Sequence, residues 1–293
     1  MSTFSDFLAE KKLLVSDGAT GSNLIQRGLP QGKTGEDWVL HNPSGISALH
    51  QDFVTAGSDI ILTCTFGASR PRLEAAGLVD QFEDVNRTAV SLAREVAQGN
   101  GALVAASLGP LGQMLAPLGP LGEKEAEEHY REQAALLDEA GADLLVIETQ
   151  FDLIEANAAV RGVQAVSQLP LIVSFSFDRG TRSMMGVNPA KFAQSMQDKG
   201  LAALGINCGK SLEDNLNALK ELVGVTDLPI WFKPNAGLPA LNAQGLPVYD
   251  VSPQEMAAHV GNWLEAGARI IGGCCGTSPD HLRAIAHQVE LLR

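Results

Sequence analysis

Arg269-Ile270-Ile271-Gly272-Gly273-Cys274-Cys275-Gly276-Thr277 is the stretch on which the fold turns. It begins as an apolar, β-branched run and stops in glycines that flank two adjacent cysteines. Glycine adopts backbone angles closed to other residues, so Gly272, Gly273 and Gly276 are expected to bend the chain at a strand end. Adjacent side chains of a regular strand point to opposite faces, and a bend is what would bring both sulfurs to one point. Ser278-Pro279 then reads as an N-cap followed by proline in the first helical turn. The positive end of that helix would favour thiolates nearby. Two activated thiols at a strand end call for a metal or a reaction.

Outward from this stretch the chain repeats one unit. Apolar strands are predicted over residues 13–16, 59–66, 102–107, 143–149, 171–177, 201–208 and 229–235, with the quoted stretch as the eighth. Helical spacing is predicted over 46–56, 81–97, 123–140, 153–166, 189–198, 212–223 and 253–266, and a last helix runs to Leu292. The helix-to-strand joints resemble one another, with Gly57, Gly141, Gly200 and Gly267 each placed before an apolar run. Continuously apolar strands are those covered by helices. Eight such units describe an α/β protein, a (β/α)8 TIM barrel spanning residues 1–293 as a single domain. A doubly wound sheet is the alternative architecture. Gly- and Pro-rich segments at 110–122 and 236–250 follow strands and would lie on the face where barrels carry active sites.

Composition narrows the function. The 293 residues are 45% hydrophobic, enough for a large core. With 34 acidic against 21 basic residues the net charge is -13, which repels nucleic acid and anionic membranes. The N-terminus lacks the basic-then-apolar order of a signal peptide, and no apolar run approaches the roughly 20 residues that span a bilayer. Four cysteines without a secretory signal fit reduced thiols, and a cytoplasmic location is expected.

On a barrel, the strand ends share one rim. Asp17-Gly18 ends the first strand, Glu148 the fourth, Cys208 the sixth, Asn235 the seventh, and Cys274-Cys275 the eighth. Three cysteines there can bind zinc as thiolates in a tetrahedral site with one position open. Bland readings stand beside this one. Cys64, inside Thr63-Cys64-Thr65-Phe66, reads as a small core residue. A vicinal Cys274-Cys275 disulfide would be strained. Glu148 could equally be a barrel-end carboxylate bonded to backbone, and Asn235 could simply shape its turn. His281 reads as solvated in the first turn of the last helix, and Met184-Met185 as packing.

Several motifs together carry a resemblance: Asp17-Gly18-Ala19-Thr20-Gly21, Glu148-Thr149, Gly205-Ile206-Asn207-Cys208, Pro234-Asn235-Ala236-Gly237-Leu238-Pro239 and Gly272-Gly273-Cys274-Cys275-Gly276-Thr277. They resemble the homocysteine S-methyltransferase family over essentially the whole chain, most closely the homocysteine domain of cobalamin-dependent methionine synthase. The resemblance implies a (β/α)8 barrel that binds Zn2+ through Cys208, Cys274 and Cys275. It implies that Asp17, Gly18, Ala19, Thr20 and Glu148 hold the amino and carboxylate groups of homocysteine. Asn235 becomes a candidate fourth ligand when substrate is absent. Cys64 and the apolar Ser183-Met184-Met185-Gly186 depart from the family pattern near the expected mouth.

The expected reaction transfers a methyl group from an external donor to the zinc-held thiolate of homocysteine, giving methionine. Three thiolates leave zinc with a formal charge of -1, so it serves to make and aim a sulfur nucleophile. The donor is S-methylmethionine, S-adenosylmethionine, a betaine-type donor or a methylcorrinoid protein, among which the residues do not choose. Alternatives are another thiol acceptor, a non-catalytic zinc-binding or corrinoid-docking subunit, and a zinc hydrolase. Three thiolates donate too much charge for the last.

Overall fold

The computed structural model describes residues 3–243 and 245–293. Eight parallel strands form one sheet: β1 (Leu14–Val15), β2 (Ile60–Leu62), β3 (Leu103–Leu108), β4 (Leu144–Gln150), β5 (Leu171–Phe175), β6 (Ala203–Cys208), β7 (Ile230–Pro234) and β8 (Ala268–Ile271). Neighbours pair in chain order from β2 to β8, and β8 pairs with β1. A parallel bridge between Ser16 and Ile60 brings β1 back to β2 and closes the barrel. The eight strands and barrel class expected from the sequence are therefore present, and the doubly wound alternative is not.

Alternation along each strand divides the apolar residues in two. Leu14, Ile60, Leu103, Ala105, Leu144, Val146, Ile172, Ala203, Trp231 and Ile270 form a cluster of their own, the filling of the barrel. Their neighbours Val15, Ile61, Val104, Leu145, Val173, Leu204, Phe232 and Ile271 join the larger cluster between sheet and helices. Phe4, from the amphipathic helix α1 (Phe4–Lys11), enters the inner cluster beside Phe7 and Leu8. The N-terminal helix thus plugs one end of the barrel, and the other end is left for the site. Each buried Leu, Ile or Phe contributes roughly 1.5–3 kcal/mol.

The glycine joints behave as the sequence predicts. Gly57, Gly141, Gly200 and Gly267 all adopt positive φ, between 63° and 109°. This is the left-handed cap that turns a helix end into the next strand.

The seam between β1 and β2 is the least regular. Asp17 N donates to Ile60 O (3.0 Å) and Asp59 N to Val15 O (2.7 Å). The remaining seam amides turn to side chains: Val15 N donates to Asp59 Oδ2 at 2.8 Å, and Leu62 N to Asp17 Oδ2 at 2.7 Å. Asp59 also receives Lys11 and the Arg293 guanidinium, and Asp17 receives Lys233.

Several elements differ from expectation. The span 253–266 is two helices, Pro253–Ala258 and Val260–Glu265, joined at His259. Short helices at Thr20–Gln26, Gly35–His41 and Arg70–Ala76 fill loops in which no helix was expected. The segments at 110–122 and 236–250 do follow β3 and β7; the second carries a two-residue hairpin, Ala240–Leu241 against Pro247–Val248. Among the described residues, no helix is long and apolar enough to cross a membrane.

Candidate active site

The C-terminal strand ends surround a cavity of about 400 Å³. Its wall includes Gly18, Ala19 and Thr20 from the loop after β1, Glu36 and Cys64, Ser107 from β3, and Glu148 and Thr149 from β4. Cys208, Lys233, Cys274 and Cys275 complete it. Strand parity explains the inward set. Ser107, Glu148, Asn207 and Lys233 continue the alternation of Ala105, Val146, Ala203 and Trp231, whose side chains fill the barrel.

The cysteines do not obey that parity. Cys208 follows the outward residues Leu204 and Ile206, yet its backbone takes φ 60°, a left-handed angle uncommon for any residue but glycine. The turn swings its sulfur back over the barrel mouth, 2.9 Å from the Cys274 sulfur. The ligand atoms of Cys208, Cys274 and Cys275 lie within 4.8 Å of one another, and all four cysteines of the chain are free. Of the three glycines around the pair, only Gly276 has positive φ, at 82°. Gly272 and Gly273 make room instead of bending the chain, which corrects the sequence-based expectation. A Cβ on Gly272 would sit 2.7 Å from the Asp17 carbonyl, and one on Gly273 would sit 2.4 Å from the Thr277 side chain.

Asn207 ties the sulfur cluster to the rest of the rim. Its Oδ1 accepts from Thr149 N (2.9 Å) and Ser174 Oγ (2.7 Å). Its Nδ2 donates to Thr149 Oγ1 (2.7 Å) and lies 3.6 and 3.8 Å from the sulfurs of Cys208 and Cys274. Thr149, like Cys208, takes φ near 60°. Two strained strand ends are thus held by one amide.

Charge around the sulfurs explains what they can bind. Hydrogen bonds to Cys274 and Cys275, then burial, push the Cys208 thiol well above its usual value. Hydrogen bonds from Cys208 and Cys274 pull Cys275 down. Without a cation the group supports about one thiolate, because each further negative charge meets the first. A dication removes that conflict and lets all three ionise. The Asn235 side-chain oxygen is buried without a hydrogen-bond partner, and its Nδ2 donates to Gly209 O at 2.8 Å. Asn235 N donates to Cys208 O at 3.2 Å and Ala236 N to Cys275 O at 2.9 Å, so the unpartnered oxygen belongs to the turn bonded to two of the cysteines. Three converging thiols fit a metal centre.

Carboxylates and one ammonium complete the cavity. Glu148 is buried and accepts from Ser107 Oγ. Burial pushes its pKa up to about 7, and the Lys233 charge only partly opposes this. Lys233 Nζ lies 2.6 Å from Asp17 Oδ1, both side chains almost wholly buried. Burial disfavours the ammonium, but Asp17 and Glu148 outweigh that and leave its pKa raised. Glu36, also buried, accepts from Gly67 N at 2.7 Å.

Of the residues singled out in the sequence, Gly18, Ala19, Thr20, Glu148, Cys208, Cys274 and Cys275 line the cavity; Asp17 and Asn235 stand behind its wall. Both Asp17 oxygens are engaged, by Leu62 N and by Lys233. Cys64 is a buried thiol raised well above its usual value by burial and then by Glu36, in keeping with a core role, although it touches the cavity. His281 is not solvated: it is 8% exposed, its Nδ1 meets Ser278 in a capping box and its Nε2 meets Val251 O at 2.9 Å. Met185 packs against the core, but Met184 is exposed. The sequence reading gave no role to Lys233, Asn207, Glu36 or Tyr249, although Asn207 stands in a quoted motif. The Tyr249 hydroxyl, beside the cysteines, is pushed up to about 12 by burial and then by Cys275.

Comparison with known proteins agrees with this geometry. A sequence profile described as homocysteine S-methyltransferase matches residues 14–289. The chain belongs to the homocysteine S-methyltransferase family. Similar proteins include the methionine synthases of Mycobacterium leprae (29% identity over 95% of this chain) and Mycobacterium tuberculosis (29% over 97%). The chain spans only about a quarter of their length, 24% and 25%. Among solved structures, the metallated homocysteine methyltransferase MmuM from Escherichia coli superposes with a TM-score of 0.83 at 27% identity. The match covers 96% of this chain and 98% of that one. N-acetylneuraminate lyase from Mycoplasma synoviae, at 12% identity and a TM-score of 0.54, shares the fold alone. For a homocysteine S-methyltransferase family member, the three cysteines and Glu148 stand at one mouth, facing one cavity.

Proposed function

We propose that the chain is a zinc-dependent S-methyltransferase that moves a methyl group from an external donor to the thiolate of homocysteine, giving methionine. The observation that carries this reading is the convergence of Cys208, Cys274 and Cys275 on one wall of a cavity that also holds buried Glu148 and Lys233. Cys208, Cys274 and Cys275 would hold the zinc as thiolates, with the Asn235 oxygen a candidate weak fourth ligand when no acceptor is bound, and the metal would supply deprotonation of the acceptor thiol, leaving a sulfur nucleophile. Glu148 takes the acceptor's ammonium group, and the backbone of Gly18, Ala19 and Thr20 faces the rest of the amino acid. Asp17 acts at one remove, through its grip on Lys233.

The methyl donor arrives from outside the barrel: S-methylmethionine, S-adenosylmethionine, a betaine-type donor or a methylcorrinoid protein. Leu118, Met184, Leu238 and Leu241 are exposed on segments that follow β3, β5 and β7, at the end of the barrel that carries the site. The decisive experiment incubates the zinc protein with homocysteine and each donor in turn and looks for methionine. The wild type should carry about one zinc per chain, and Cys208→Ala, Cys274→Ala and Cys275→Ala should each lose most of it. Retention of zinc by all three variants, or no methionine from any donor, would end the proposal.

A further inference from the structure

Lys233 is the sole basic side chain among the described residues that line the cavity, and its immediate surroundings do not use it up. It stands on β7 two residues beyond Trp231, on the inward face, with its side chain 3% exposed. Its Nζ donates to Asp17 Oδ1 at 2.6 Å and passes 5.4 Å from the centre of the Trp231 ring. An ammonium carries three protons, and among the described residues Asp17 is its one hydrogen-bond partner. Asp17, by contrast, has both oxygens engaged: the second accepts from Leu62 N at 2.7 Å.

Burying an ion pair gains little over an apolar pair of the same volume, so the pair is poorly explained as a device for stability alone. It is well explained as a cation held at a fixed point. The rest of the cavity is negative or neutral: Glu148 and Glu36 are carboxylates, and the sulfurs add negative charge as they ionise. An acceptor with both an ammonium and a carboxylate needs opposite charges on the wall. Glu148 provides one. From this arrangement we infer that Lys233 binds the carboxylate of the acceptor, which makes it the residue that selects an α-amino-acid thiol over a simple amine thiol. The inference rests on the acceptor reading given above and adds a residue to it. Asp17 then positions Lys233, which gives the Asp17-Gly18 end of β1 a role without direct contact.

The test compares two ligands on the zinc-loaded full chain by calorimetry: homocysteine, and 3-aminopropane-1-thiol, which is homocysteine without its carboxylate. The wild type should prefer homocysteine. Lys233→Gln should weaken homocysteine by about 10–100-fold, the scale of one charge-assisted hydrogen bond, and leave the amine thiol within about threefold. Lys233→Arg should recover part of the preference. Equal weakening of both ligands would mean that Lys233 serves only to hold Asp17, and the inference would fall. Should Lys233→Gln not fold, with Asp17 left buried and unpaired, the double variant with Asp17→Asn restores a neutral pair and the same ratio is read. A wild type that binds both thiols equally overturns the inference without any variant. A wild type that binds neither removes the acceptor reading itself.

Discussion

Glu148 and His50 are both buried titratable groups, one on the cavity wall and the other within a helix. Glu148→Gln should keep zinc but weaken homocysteine by roughly 1–3 kcal/mol, measured by calorimetry, because the amide cannot match a carboxylate to an ammonium. Unchanged affinity would return Glu148 to a structural role with Ser107. His50 lies wholly buried in the helix Pro43–Thr55, with neither ring nitrogen bonded. Burial pulls its pKa down to about 4 from 6.5. Above pH 6.5 both folded and unfolded states hold it neutral. As pH falls from 6.5 to 4 the unfolded chain binds the proton first, so stability is lost across that window, up to about 3 kcal/mol. His50→Leu should therefore resist acid better than the wild type, with denaturant midpoints at pH 7 and pH 4.5 as the measure. The sulfurs and Glu148 were legible in the sequence because each ends an apolar run. Lys233 and Asn207 were not, since their meaning depends on strand parity and on partners far along the chain: Asp17 for one, Thr149 and Ser174 for the other. His281 was misread for the same reason, its burial resting on Val251, thirty residues away.

Elements follow a similar division. The eight strands were legible because apolar runs recur along the chain, and at four joints, Gly57, Gly141, Gly200 and Gly267, a left-handed glycine precedes the run, a second signal that agrees. The helices Thr20–Gln26, Gly35–His41 and Arg70–Ala76 were not: each spans seven residues and begins without a side-chain cap bond, so neither periodicity nor capping announces it. Strand ends are where local rules yield to packing, and the β1–β8 joint illustrates it. Gly272→Ala would drive a methyl group to 2.7 Å from the Asp17 carbonyl and 3.0 Å from Ser16 Cβ, both in the adjoining chain. Backbone cannot step aside as a flexible side chain can. The substitution should cost about 1–3 kcal/mol in denaturant unfolding, and zinc affinity should fall with it because Cys274 lies two residues on. An unchanged midpoint would show that the joint has slack the close approach conceals.

At the scale of the whole molecule, a site assembled from β3, β4, β6, β7 and β8 exists only while the barrel is shut. Metal bound to cysteines of β6 and β8 should stabilise the folded chain, by about 4 kcal/mol at a free zinc concentration a thousand times Kd. Thermal unfolding with and without a chelator checks this, and equal midpoints would argue against a metal held by folded strands. The other seam, between β1 and β2, has consequences in time. There the amides of Val15 and Leu62 answer to the carboxylates of Asp59 and Asp17 instead of a continuous ladder. A wall fastened by a few side chains along one line should breathe along that line. In deuterium exchange, Val15 and Leu62 should take up label sooner than Val146 or Ile172, deep in the β4–β5 ladder. Asp59→Asn should quicken the uptake further. Each such opening would swing Asp17, and with it the Gly18-Ala19-Thr20 turn, away from the cavity it borders.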